Sequence, residues 1–255
     1  MEDIQPEHPR SESLKIREKL ANGLKNGLVS PEGLAAHGRG EAFDYLLGEK
    51  TTEPAEEAIE AGAASIVKAE DPVFSVNGNV SALVPDEIGR LSKETQVKIE
   101  VNLFHKSKER EKRIATHLEN HGVENVLGIE EEHSAKIPEI ESEREIVDKR
   151  GQKIADSIVV PLEDGDRTEK LVKKGKKVIS IDLNPMSRTA QSSQITIVDN
   201  LIRTMPLLIE KIKELRDLSS NKIDEIIKGY DNEKNLGKTT DIMLSTLENM
   251  SKGEN

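Results

Sequence analysis

The chain has 255 residues, and 37 Lys+Arg against 48 Asp+Glu give a formal net charge of −11. That balance excludes a general phosphate-backbone surface, and 2% aromatics without Trp exclude a stacking platform for single strands, so nucleic acid is not an expected partner. Cysteine is absent, which excludes disulfides, thiolate chemistry and cysteine zinc sites, and no apolar run approaches the roughly 18 residues of a membrane span.

Residues 11–27 read as a helix, with Leu14, Arg17, Leu20, Ala21 and Leu24 at helical spacing, Ser11 or Ser13 at its cap and Asn26-Gly27 at its stop. Next comes A-A-H-G-R-G-E-A-F-D-Y-L-L-G-E, Ala35 to Glu49, too polar for a core element and too apolar for a linker. It reads as a glycine-paced turn, with Glu41 and Asp44 on the first turn of a following helix, where they complement its dipole. Residues 53–70, opening at Glu53-Pro54, read as a second helix.

After Asp71-Pro72 the pattern changes. Runs at 73–77, 97–103, 123–129, 156–162, 177–183 and 195–199 are β-prone, and helix-like stretches lie near 86–95, 107–121 and 166–175. Residues 201–217 read as an amphipathic helix, and 221–252 as two charged helices parted at Asp231-Asn232. The segment 130–151, highly charged and holding Pro138, reads as a surface excursion. Alternating strands and helices predict an α/β fold: a Rossmann-like, mostly parallel sheet with helices on both faces, plus helical N- and C-terminal extensions. One domain is expected over 1–255, with a helical part at 1–70, a sheet core at 71–200 and a helical part at 201–255. The start, M-E-D-I-Q-P-E-H-P-R, is acidic and unlike a secretory signal, so a soluble cytoplasmic protein is expected. High Lys and Glu without Cys also suit a heat-adapted source.

In an open α/β sheet, ligands bind beyond the carboxyl ends of the strands. Strand 73–77 runs into Asn77-Gly78-Asn79, whose backbone N–H groups suit an anion; the plainer reading is a strand-to-helix turn. It is neither a Walker A loop nor G-x-G-x-x-G. Strand 156–162 runs into E-D-G-D-R-T-E, where Asp164 and Asp166 suit Mg²⁺ beside phosphate oxygens, unless Asp166 only caps the next helix. Strand 177–183 delivers Asp182, suited to ribose hydroxyls, then Asn184, and Ser187 with Arg188 for phosphates. The next strand again ends in a polar pair, Asp199-Asn200, and the repetition points to a sugar or nucleoside.

Arg39, between two glycines, is free to reach a phosphate. His37 is a candidate general acid or base, with a plain hydrogen-bonding role the better reading of a lone histidine. Arg17, Arg39, Arg167 and Arg188 beside glycines and strand ends in an acidic chain point to a small anionic ligand; the alternative is ordinary surface ion pairing.

A-H-G-R-G-E-A-F-D-Y-L-L-G-E, S-V-N-G-N-V-S-A-L-V-P, V-V-P-L-E-D-G-D-R-T-E and I-D-L-N-P-M-S-R, followed by I-V-D-N, resemble the archaeal 4-phosphopantoate–β-alanine ligase family, also called archaeal phosphopantothenate synthetases. The resemblance runs in order from about His8 to about Asp231. It implies an ATP-dependent acid–amino-acid ligase: ATP, 4-phosphopantoate and β-alanine give 4-phosphopantothenate, AMP and diphosphate, a step toward coenzyme A. It also implies a homodimeric, cytoplasmic enzyme. The family's nucleotide contacts match Arg17, Arg39, Asp182, Leu183 and Asn184, Ser187 with Arg188, and Asp199 with Asn200. The chemistry adds further expectations. Mg²⁺ bridges phosphates with Asp164 or Asp166. The substrate phosphate meets Asn77, Gly78 and Asn79, or His37, or Arg167. His37, Arg39 and Asn77 form the catalytic set. A phosphotransferase releasing ADP, and a nucleotide sensor without turnover that uses 232–255 as a partner surface, are the competing readings.

Overall fold

The computed structural model describes residues 11–138 and 143–253. The first ten residues, on which the leader reading and the start of the resemblance rest, lie outside that range, as do four residues of the charged excursion. The strands are β1 (Pro72–Val76), β2 (Lys98–Val101), β3 (Val126–Leu127), β4 (Ser134–Lys136), β5 (Ile146–Asp148), β6 (Ser157–Pro161), β7 (Lys177–Ile181) and β8 (Ile195–Ile197). Six of them form one parallel sheet in the order β3-β2-β1-β6-β7-β8, and β4 and β5 pair antiparallel as a separate hairpin. The helices are α1 (Ser11–Lys25), α2 (Pro31–Leu47), α3 (Glu53–Lys68), α4 (Gly78–Leu83), α5 (Pro85–Glu94), α6 (Lys108–Asn120), α7 (Gly165–Lys173), α8 (Arg188–Ser192), α9 (Leu201–Leu215), α10 (Ser220–Gly229) and α11 (Asn232–Lys252).

The expected α/β architecture is present, and all six β-prone runs form the sheet. Period-two packing explains why. In β6, Ile158 and Val160 join one apolar cluster with Val73, Val178, Leu171 of α7 and Val147 of the hairpin. Val159 faces the opposite cluster with Phe74, Ile179, Ala64 of α3 and Leu208 of α9. Strands covered on both faces favour apolar residues at most positions, which gives near-continuous hydrophobic runs. Among the described residues no helix is long and apolar enough to cross a membrane.

Two expectations are corrected. The Ala35–Glu49 stretch is not a turn: it belongs to α2, capped by Ser30, whose side chain accepts from Gly33 N, opened by Pro31, and closed by Gly48 at φ 78. Glu41 and Asp44 therefore sit toward its C-terminal end, where a dipole role for carboxylates is reversed. The inner face of α2 carries Gly33, His37, Gly40, Asp44 and Leu47, at spacings of three and four. It is mostly polar or bare, so no apolar stripe betrays the helix. The 130–151 segment is not merely a surface excursion either. Its hairpin buries Ile137, Val147, Asp148 and Arg144. It is pinned to the sheet by Glu100 of β2, whose carboxylate accepts from Asp148 N at 2.9 Å and Gln152 N at 2.6 Å.

Candidate active site

The strand order reverses between β1 and β6, and the crevice beyond their carboxyl ends is where an open α/β sheet offers a ligand site. Asn77 bridges this point. Its Nδ2 donates to Pro161 O at 3.1 Å and Leu162 O at 3.2 Å, while its Oδ1 accepts from Val80 N and caps α4. Leu162 takes φ 51, a left-handed conformation costly for a branched residue, and so turns its carbonyl toward Asn77. At Gly78 any Cβ would lie 2.2 Å from Leu28 O, so only glycine lets this turn pass beneath the chain.

A cleft of about 600 Å³ opens here, with α2 along one wall. Its floor follows the sheet: Phe104 and His105 beyond β2, Asn77–Asn79 beyond β1, Leu162–Asp164 beyond β6, then Asp182–Asn184 and Ser187 beyond β7. From β2 to β7 is three strand spacings, about 14 Å, long enough for two ligands end to end.

At the β7 end, Asp182 Oδ1 accepts from Asn184 N at 2.9 Å, and Oδ2 accepts from Ser187 Oγ at 2.6 Å. Burial pushes the Asp182 carboxyl pKa up, against these two donors. Leu183 anchors the turn in a small cluster with Leu47, Ala190, Leu236 and Met243, which seats α11 behind it. Arg39 is exposed on α2, lines the cleft, and makes no ion pair with any described residue. His37 lines the same wall and is 8% exposed; burial lowers its pKa, outweighing Glu41 and Asp44 nearby.

Other expected residues stand elsewhere. Arg17 donates to Glu41 Oε1 at 2.8 Å, which also accepts from Ser13 and Tyr45, and so ties α1 to α2. Arg188 is exposed and paired with Asp166 at 2.6 Å and Glu169 at 2.9 Å. Asp166 is thereby turned from the cleft, and only Asp164 of the expected metal pair lines it. Asp199 is 1% exposed: Oδ1 accepts from Arg203 Nε and Nη2 at 2.9 and 2.7 Å, and Oδ2 from Thr51 at 2.6 Å. Asn200 donates to Asp44 Oδ2 at 2.9 Å. These side chains brace α2 from below and do not line the cleft.

Arg167 needs a correction. It is 1% exposed, beneath the floor, held by Glu163 and Gln152, so it has no path to a ligand. Besides Arg39, the arginines that line the cleft are Arg110 of α6 and Arg144 of the hairpin. Neither stands at a strand tip or beside a glycine, the only signals that sequence reasoning used for basic residues. Among the described residues the one three-ligand cluster suited to a metal, Glu130, Glu132 and His133, is at the surface and outside the cleft.

Comparison with known proteins bears on this geometry. A family model described as phosphopantothenate/pantothenate synthetase matches residues 54–246. The 4-phosphopantoate–β-alanine ligase of Thermococcus onnurineus is 48% identical over 253 residues, 99% of this chain and 95% of that protein. The ligases of the same name from Thermococcus kodakarensis and Methanosarcina mazei are 47% and 45% identical, again over at least 98% of this chain. The family model begins past α2, whereas these relatives also cover α1 and α2.

Proposed function

This chain belongs to the phosphopantothenate/pantothenate synthetase family, and from that premise we propose that the cleft joins 4-phosphopantoate to β-alanine with ATP. The protein is a ligase of coenzyme A biosynthesis. The observation that carries its chemistry is the single cavity in which Arg39, Asp182, Asn184 and Ser187 face Asn77–Asn79 across the switch point.

A carboxylate is a poor acyl donor. In the proposed sequence its oxygen attacks the α-phosphorus of ATP, and the bond to diphosphate breaks. The β-alanine amine then attacks the acyl carbon, the bond to AMP breaks, and the amine gives up a proton. Protein groups align the reactants and neutralise charge. Asp182, fixed by Ser187 and the Asn184 amide, accepts from ribose hydroxyls, as a strand-end carboxylate does in dinucleotide folds. Arg39 meets the phosphates with a guanidinium that no carboxylate among the described residues pairs with. Arg188 and Arg17, outside the cleft lining, are held in exposed pairs, which are weak and exchange cheaply for phosphate oxygens. Asp199 and Asn200 contribute by holding α2 in place through Asp44 and Arg203. His37, kept neutral by burial, accepts the amine proton.

Mg²⁺ usually takes one or two carboxylates plus phosphate oxygens. Asp164, half-buried at the β6 tip, fits that donor set and Asp166 does not. A bound Mg²⁺ would offset phosphate charge there. A homodimer is proposed from the family resemblance and is checked by light scattering at twice the chain mass.

The test is a product assay with ATP, Mg²⁺, 4-phosphopantoate and β-alanine, resolving nucleotides by chromatography. AMP formed only with both substrates is the expected result. ADP would move the chemistry to phosphoryl transfer, and ATP binding without turnover would leave a sensor.

A further inference from the structure

Beneath the cleft floor runs a row of buried charges that no step of the proposed reaction uses. Glu163, at the β6 tip, is shared by two arginines. Its Oε2 accepts from Nη1 of Arg167 beneath the floor, and its Oε1 pairs with Nη1 of Arg144 in the cleft lining. Arg144 has a second carboxylate, Asp164, whose Oδ2 lies 3.4 Å from the same nitrogen. On the far side, Arg167 Nη2 donates to Gln152 Oε1, and Gln152 N donates to Glu100 Oε2 at 2.6 Å. Gly151 makes room for that last contact, since a Cβ there would stand 2.1 Å from the same oxygen. From β2 to the cleft the side chains therefore alternate in sign: Glu100, Arg167, Glu163, Arg144 and Asp164, with Gln152 joining the first two.

Such a row is a costly way to hold a fold. Arg167 Nε, Gln152 Nε2 and Arg144 Nε have no hydrogen-bond partner among the described residues. Buried ion pairs often stabilise less than apolar residues of similar volume. The hairpin also has other anchors: Ile137 and Val147 in the apolar cluster, and Asp148 N on Glu100 Oε1. What the row supplies is a charge balance at the cleft wall. One buried carboxylate is divided between two guanidiniums, and Arg144 feels Arg167 across it: after burial itself, the charge of Arg167 does most to lower the Arg144 pKa. Whatever part of the Glu163 charge Arg167 engages is withheld from Arg144. Building on the ligase reading, we propose that Arg167 is a positioning residue for the reaction: by holding Glu163 from beneath, it leaves Arg144 with positive charge toward the cleft and so sets the affinity for the anionic acid. The nucleotide end is spared, because Asp182 lies beyond β7 whereas Arg144 stands by Phe104, its guanidinium carbon 5.8 Å from that ring. Without Arg167, Glu163 closes on Arg144 as a fully buried pair.

The test is a double-mutant cycle in the full chain, with Arg167→Met, Glu163→Gln and the two combined. It reads kcat and KM for 4-phosphopantoate, KM for ATP, and the urea midpoint. Arg167→Met should raise the acid KM about tenfold, the scale of one charged contact, with the ATP KM within about twofold. In the double variant both charges are gone and Arg144 is released, so the acid KM should return to within about threefold of wild type while the midpoint stays low. A purely structural residue gives losses that add. An acid KM in the double variant as high as in Arg167→Met overturns the proposal, and so does an equal rise in both KM values in Arg167→Met. Arg167→Lys keeps the charge beside Glu163 but not the fork to Gln152; it should restore most of the acid KM, and a KM equal to that of Arg167→Met counts against the idea. Where Arg167→Met does not fold, Gln152→Glu decides: it offers Arg167 a second carboxylate, loosens the grip on Glu163 and should raise the acid KM severalfold, and an unchanged value overturns the proposal. The two readings fail separately. If the wild-type protein makes no AMP, the ligase reading falls, and calorimetric binding of 4-phosphopantoate across the same variants still decides the role of Arg167.

Discussion

Strands β7 and β8 are neighbours, and each runs into an acidic residue and then an asparagine: Asp182 with Asn184, and Asp199 with Asn200. In sequence the two tips carry the same signal. In the fold they part. Asp182 lines the cleft, held by two short local contacts. Asp199 is sealed beneath α2, with Arg203 on one oxygen and Thr51 on the other. A polar strand tip is therefore a ligand contact or a structural brace according to what packs over it. At β7 the carboxylate faces the cleft, and at β8 its place is taken by Arg203 and Thr51.

The sharpest way to break this comparison is to remove both acids. Asp199→Ala leaves half-buried Arg203 with two of its three carboxylates and Thr51 without its acceptor, and truncating one member of a largely buried pair costs up to roughly 3 kcal/mol, read as a lower urea midpoint. Asp182→Asn should do the opposite: unfolding nearly unchanged, and an ATP KM raised by about tenfold or more, the scale of a lost charged hydrogen bond. Equal stability losses in both variants would erase the distinction.

His37 and Glu100 extend the contrast to groups outside the motifs. Burial holds the His37 pKa below its ordinary 6.5, so its free base persists into mildly acid solution. If it takes the amine proton, kcat/KM should fall only as pH drops through that depressed value, and His37→Gln should lower the rate about 10²-fold, the low end of general-base effects, and abolish that limb. A limb that persists in the variant assigns the base elsewhere. Glu100 is a buried brace like Asp199. Burial raises its pKa from 4.5 to about 7, against two backbone donors and Arg167. A raised carboxyl favours the folded state while protonated. That contribution is whole below about pH 4.5 and is lost as pH rises through about 7. Glu100→Gln should flatten the fall in Tm between pH 5 and 8 by about 5–10 °C, the equivalent of ~2–3 kcal/mol at this length, without changing the ATP KM.

Much of the frame was legible. The sheet strands are rich in apolar residues because both faces are covered, with β2 alternating around buried Glu100, and the amphipathic helices α5, α7 and α9 show their spacing for the opposite reason, one face being wet. Helix α2 was not legible as a helix, since the face it turns inward carries glycines, His37 and Asp44. Its ends were readable all the same, in Ser30-Pro31 and Gly48. Arg167 looked available because it follows an acidic tip. It is buried because α7 turns it under the floor toward Gln152 and Glu163, and Arg144 takes the place expected of it at the surface of the cleft.

The sequence by itself determined which segments became the six strands of the parallel sheet, in what order along the chain, and that several of their ends were polar. These are local properties: side-chain shape, period-two apolarity and backbone freedom act over a few residues. Only the tertiary structure decided where the chain reversed across the sheet, which tips stayed open, and which arginines faced the cavity. Those outcomes depend on partners far away in the chain. Asp44 meets Arg203 and Asn200 across more than 150 positions, and a side chain's direction is set by such contacts rather than by its neighbours in sequence.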